Sequence, residues 1–152
     1  MHLSMKCSVA VHCLIFMHEA RGLAKVTSTL LAQSTGVNPV VIRNILSALK
    51  KAGLITVARG TGGAELCRTP EQITLYQIYN ALEPDGIPAL IGIHACGQRP
   101  CPVAQNIQKV LEGPYHKIEH SIQETMEGIT LASMLEEFHR CLEEQSHQEG
   151  SM

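Results

Sequence analysis

Residues 38–51 constrain the fold more than any other stretch of the 152-residue chain. Asn38 is suited to cap a helix and Pro39 to open it, at a position where a missing amide hydrogen costs nothing. Ile42, Ile45, Leu46 and Leu49 then recur on one face, while Val40, Arg43, Asn44, Ser47, Lys50 and Lys51 lie away from it. One side packs and the other is left for a partner. Gly36 supplies a tight turn before this helix and Gly53 a stop after it. Upstream, Cys7, Ala10, Val11, Leu14, Ile15 and Met17 mark a first helix that Ser4 can cap, and Thr27 or Ser28 caps a short second one through Leu30, Leu31 and Ala32. Downstream, residues 54–58 and 64–67 read as strands joined by the turn Arg59-Gly60-Thr61-Gly62-Gly63. Three helices with a tight turn between the second and third, followed by a two-stranded wing, describe a mainly α winged helix-turn-helix. The glycine turn lacks the Lys-Ser/Thr ending of a P-loop and opens no helix, so a nucleotide site is not expected there.

The net charge of −2 hides an uneven distribution. Up to Gly60 there are seven basic residues and one acid, Glu19; beyond it five basic residues stand among thirteen acids. A basic front suits a polyanion, and chance clustering of surface charge is the plain alternative. With 45% apolar residues the chain can bury a core, whereas 3% aromatics and no Trp suit neither a β-barrel nor a sugar site.

Past the hairpin, Ile73, Leu75, Ile78, Tyr79 and Leu82 give a fourth helix over 71–82. Residues 83–100, rich in Pro and Gly, read as a loop that divides a reading head, 1–82, from a second region, 83–145. Residues 102–111 can form a short helix, after which Pro114 starts a longer one with a seam of Tyr115, Ile118, Ile122, Met126 and Ile129. Leu131, Met134, Leu135, Phe138, Cys141 and Leu142 repeat the pattern over 130–142. Two amphipathic helices beyond a complete head point to dimerisation more than to an internal core, and the tail at 146–152 is expected to fray.

Residues 9–17 are apolar, but they contain His12 and run into His18-Glu19 without a cleavage signal. No stretch approaches the ~18 apolar residues of a membrane helix. The expected setting is the reducing cytosol without a membrane partner, where the six cysteines stay free, react or bind metal.

The run Asn38-Pro-Val-Val-Ile-Arg-Asn-Ile-Leu-Ser-Ala-Leu-Lys-Lys-Ala-Gly-Leu-Ile, followed by Val57-Ala-Arg-Gly-Thr-Gly-Gly-Ala, resembles the bacterial Rrf-two (Rrf2) family of transcription regulators, which includes IscR, NsrR and CymR. Met5-Lys6-Cys7-Ser8-Val9-Ala10-Val11-His12, the Asn-Pro-Val-Val start and Cys101-Pro-Val-Ala-Gln-Asn-Ile resemble its YwnA and HypR subgroup. The likeness spans about residues 1–142 and departs at the wing, where Ala64-Glu65 replaces the usual Gly-Tyr. It implies a sequence-specific DNA-binding regulator, a repressor, working as a homodimer. The long helix from about Pro114 would cross to the partner, and two recognition helices would lie in successive major grooves of a pseudo-palindromic operator. The local chemistry suits duplex DNA. Asn38, Pro39, Val40, Arg43, Asn44 and Ser47 would face base edges or phosphates, and Thr27 and Ser28 would offer hydroxyls and amides to a phosphate. Arg59 and Gly60 would enter a minor groove, and Lys6, Lys50 and Lys51 would meet the backbone, although a helix-end lysine is equally an ordinary solvated charge.

The window His94-Ala-Cys96-Gly-Gln-Arg99-Pro100-Cys101-Pro102 is the most chemically loaded. Cys101 should cap the next helix, where amide dipoles and Arg99 would favour its thiolate, which makes it the candidate sensor of oxidants or electrophiles. Cys96 could resolve a sulfenate on Cys101, or be simply a loop cysteine. The intersubunit bridge of HypR-like sensors does not carry over, since Gln33 stands near the end of the second helix. The alternative is an iron-sulfur cluster. IscR-like and NsrR-like members bring three cysteines from this loop, whereas here there are two, and His94 or a partner's His12, Cys13 or Glu19 would have to complete the set. Zinc on His94, Cys96 and Cys101 is weaker still, and His116, His120, His139 and His147 read as helix-surface residues. With no cofactor expected, the remaining classes are a thiol oxidoreductase and a purely architectural DNA binder. Cys-x4-Cys without an alternating strand-helix pattern speaks against the enzyme, and the second leaves the acidic half unexplained.

Overall fold

A computed structural model describes residues 5–60, 63–97 and 100–151. Among these residues the chain forms six helices and one short hairpin, in the order α1 (Lys6–Glu19), α2 (Ser28–Thr35), α3 (Pro39–Lys51), β1 (Ile55–Val57), β2 (Ala64–Leu66), α4 (Leu75–Leu82), α5 (Pro102–Glu127) and α6 (Leu131–Glu149). Ser4, the expected cap of α1, lies outside the described residues, and Met5 in its place makes no side-chain cap bond. Thr27 caps α2 by accepting from the amide of Leu30, and Asn38 caps α3 by accepting from that of Val40. Between them Gly36 sits at φ 72°, the left-handed conformation that turns the chain from one helix into the next.

The core gathers Ala10, Cys13, Leu14 and Met17 of α1, Leu31 of α2, Ile42, Ile45, Leu46 and Leu49 of α3, and Ile78 and Leu82 of α4. The antiparallel hairpin pairs Ile55 with Leu66 and Val57 with Ala64, and it sets Ile55 and Ala64 into that core. Gly63 is required where it stands, because a Cβ there would lie 2.5 Å from the amide nitrogen of Val26, whose carbonyl accepts from the Ala64 amide.

The second half differs from the sequence reading in four places. The fourth helix starts at Leu75, not 71, because the chain on either side of Thr74 is tied to residues 129–131: Leu75 donates to Ile129 and Leu131 donates to Ile73. A single 3-10 turn, Pro70–Gln72, precedes it, and Thr74 forms a capping box with Gln77. α5 is one 26-residue helix running through Pro114, where a short helix and a new start were expected. An interior proline frees the carbonyl four residues back and costs about 3 kcal/mol, and here that carbonyl belongs to exposed Val110, within reach of water. α6 is not a second free dimerisation helix: its first turns return to the head, where Leu131 and Leu135 are buried in the common core. It also continues to Glu149 instead of fraying from 146. Among the described residues no helix is long and apolar enough to cross a membrane.

Candidate nucleic-acid interface and cysteine loop

Burying Ile42, Ile45, Leu46 and Leu49 fixes what α3 shows to solvent. Pro39, Val40, Arg43, Asn44, Ser47, Lys50 and Lys51 are all exposed. A groove of about 430 Å³ runs beside this face, and its lining brings together Thr27 and Ser28 at the start of α2, Arg43, Ser47 and Lys50 of α3, and Gly60 of the wing. These six residues, scattered over the sequence, therefore converge. The start of α2 adds the amides of its first turn, which suit an anion. Arg59 is exposed on the hairpin and Lys6 opens α1, and neither is among the residues lining the groove. Asn38 is exposed, but its side-chain oxygen is engaged by the Val40 amide at 2.8 Å, which leaves its NH2 group for a partner. Thr61 and Gly62 of the wing turn lie outside the described residues.

No acid lines this groove, and among the described residues Arg43, Lys50, Lys51 and Arg59 join no ion pair. The acids that do pair lie elsewhere, on α1, α5 and α6. Unpaired cations on one convex helix face, framed by a helix start and a hairpin, have the shape and sign for a duplex backbone and its groove.

The whole arrangement has counterparts. The profile of the Rrf2 family, described as an iron-dependent transcriptional regulator, matches residues 3–137. The chain belongs to the Rrf2 family. Like other Rrf2 members it is a DNA-binding transcriptional regulator and not an enzyme. YwnA of Bacillus subtilis (strain 168), described as an HTH-type transcriptional regulator, is 31% identical over 130 residues, covering 84% of this chain and 92% of YwnA. A crystal structure of a transcriptional regulator from Lactobacillus plantarum superposes with a TM-score of 0.75 at 29% identity, covering 99% of this chain and 100% of that one. IscR of T. potens gives a TM-score of 0.66 at 25% identity, covering 90% and 88%.

The cysteine loop of this Rrf2 chain joins α4 to α5. Cys101 is the N-cap of α5, as the spacing indicated; its carbonyl accepts from Gln105 at 3.0 Å, while its exposed side chain makes no cap bond. Cys96 is exposed as well, with Sγ 3.5 Å from His94 Nε2, and both line an open cavity of about 830 Å³ against the first turns of α5. All six cysteines are free, so Cys96 and Cys101 stand as separate thiols. Arg99 lies outside the described residues.

A family described as iron-dependent calls for a test of the donor set. Among the described residues no three His, Cys, Asp or Glu side chains are grouped so as to hold a metal ion, so His94, Cys96 and Cys101 do not form a site within one chain. Of the donors considered from a partner, Cys13 is buried, while His12 and Glu19 are exposed and hydrogen-bonded within their own chain. Cys13 is wholly buried in its own core, and burial pushes its thiol up to about 11. His12 lies 2.8 Å from Ser34 Oγ. Glu19 is held by His139 of α6 at 2.7 Å and by His18 at 3.3 Å. Burial pushes the Glu19 carboxyl up, and these two histidine hydrogen bonds more than offset it, leaving the group below the usual carboxylate range. Among the described residues of one chain, no donor set for an iron centre is assembled.

Two structural residues escaped the sequence reading. Gly63 was placed in the turn without its contact with Val26, and His139 was read as a plain surface residue, whereas it ties α6 to α1. Only a homologue alignment or the fold itself carries either signal.

Proposed function

We propose that this Rrf2 chain is a homodimeric repressor whose DNA affinity is switched by covalent modification of Cys101. The observation that carries the reading is that α5, 26 residues long and without one buried residue, begins at this thiol. A helix of that length, with Tyr115, Ile122 and Met126 half-buried, Ile118 exposed, and Ile129 of the expected seam half-buried just past its end, needs a second surface, and a second copy supplies it. The Cys101 thiolate adds to a quinone-like electrophile through a new S–C bond. A hypohalous acid instead oxidises the thiol to a sulfenic acid with loss of halide and a proton, and the Cys96 thiol converts that to a disulfide with loss of water. Either change adds bulk or a cross-link at the residue where the helix that sets the spacing of the two heads begins, and so shifts the register of the two α3 helices on a pseudo-palindromic operator. The protein works in the reducing cytosol and has no resident cofactor.

Fluorescence anisotropy on a bound genomic fragment tests this. A quinone should release the wild-type protein from DNA and leave the Cys101→Ser protein bound. Full release of Cys101→Ser would refute the thiol trigger. Protein purified under nitrogen should be colourless; stoichiometric iron with visible absorption would replace the thiol by a cluster.

A further inference from the structure

Val40 has no structural reason to be where it is. On α3 it stands opposite the buried stripe of Ile42, Ile45, Leu46 and Leu49, and in line with Asn44, Ser47 and Lys51 at successive turns. It is 56% exposed, in the first turn of the helix, with a β-branched side chain where a polar residue would be better solvated and equally helical. The Asn38 cap fixes the backbone of Val40 itself, through a 2.8 Å bond to its amide, so the side chain is presented on a defined turn. The face it shares carries Arg43, Asn44 and Ser47 and no carboxylate, so it offers no strong acceptor for a cytosine amino group.

The first turn of a recognition helix meets base edges, and the one apolar group that a base edge presents in the major groove is the 5-methyl of thymine. We propose that Val40 is a specificity-determining residue that reads a thymine 5-methyl group in each operator half-site. Asn44, one turn along the same face, has the amide suited to an adjacent adenine. The chemical signature recognised is thus a 5-methylpyrimidine under the first turn of α3. The inference rests on α3 being the recognition helix.

The test uses the full-length protein and duplexes enriched by it from a random-sequence pool. Each thymine is replaced in turn by uracil, which removes only the methyl group. Wild-type protein should lose roughly fourfold in affinity at one position per half-site, the worth of one buried methyl. Val40→Ala should bind the thymine and uracil duplexes equally at that position, and Val40→Thr, which keeps a methyl, should retain part of the discrimination. The same uracil penalty in Val40→Ala as in wild type, or no penalty at any position in wild type, overturns the assignment while leaving DNA binding intact. If no duplex is enriched at all, the DNA-binding role of α3 falls, and this inference with it.

Discussion

The reading head and α5 are both helical, and they solve the problem of apolar surface in opposite ways. In the head, Leu14, Leu31, Ile42, Leu49 and Ile78 are fully covered by one another, so α1 to α4 and the hairpin need nothing outside the chain. α5, at 26 residues, is twice the length of α3 and more than three times that of α2 or α4, yet it buries no residue and carries Val103 and Val110 at 68% and 62% exposure. The chain thus divides into a part that folds on itself and a part whose amphipathic seam stays largely uncovered within the chain, as the proposed dimer requires. α6 joins the two regimes: Leu131 and Leu135 belong to the head, while its last turns are exposed.

The sharpest way to break that contrast is a paired substitution. Leu14→Ala should cost about 2–5 kcal/mol in denaturant unfolding, because it opens a cavity in a closed core. Ile122→Asp on α5 should leave the head folded by circular dichroism while sedimentation shows a shift from dimer to monomer. Equal loss of structure in both proteins would mean that α5 is part of the same core. Next in size, Arg43→Ala should weaken operator binding by roughly tenfold or more and lower the salt slope by about one, with the thermal midpoint unchanged, since the side chain is exposed and lies in the groove with Lys50. The smallest effect concerns the join between α1 and α6. Glu19 has a lowered carboxyl pKa in the folded state, so the stability it contributes is present above the ordinary carboxylate pKa and is lost as pH falls through the depressed folded value. Glu19→Gln should therefore flatten the acid limb of the stability-pH curve by on the order of a few tenths of a kcal/mol, the scale of an exposed pair.

The head was legible in the sequence because its signals are local. Asn38-Pro39 and Thr27 start helices by capping, Gly36 turns the chain through a positive φ, and the apolar period of α3 names its buried face outright. The groove was legible residue by residue, yet its convergence of Thr27, Arg43 and Gly60 is a property of the fold. What escaped depends on distant partners. The start of α4 is set by residues 129–131, and His139 meets Glu19 across 120 positions. Leu131 and Leu135 have the same spacing as a dimer seam, so periodicity alone could not tell core from interface. Pro114 was read by its local rule, which an exposed helix with water at hand can override.

The most direct test of the whole is an anisotropy titration on a fragment selected from the genome of the source organism, run over a range of salt and paired with stoichiometry by sedimentation. The expected result is two chains per duplex, an affinity that falls steeply as salt rises, and clear preference over a scrambled duplex. Binding by one chain, or equal binding to the scrambled duplex, would contradict it.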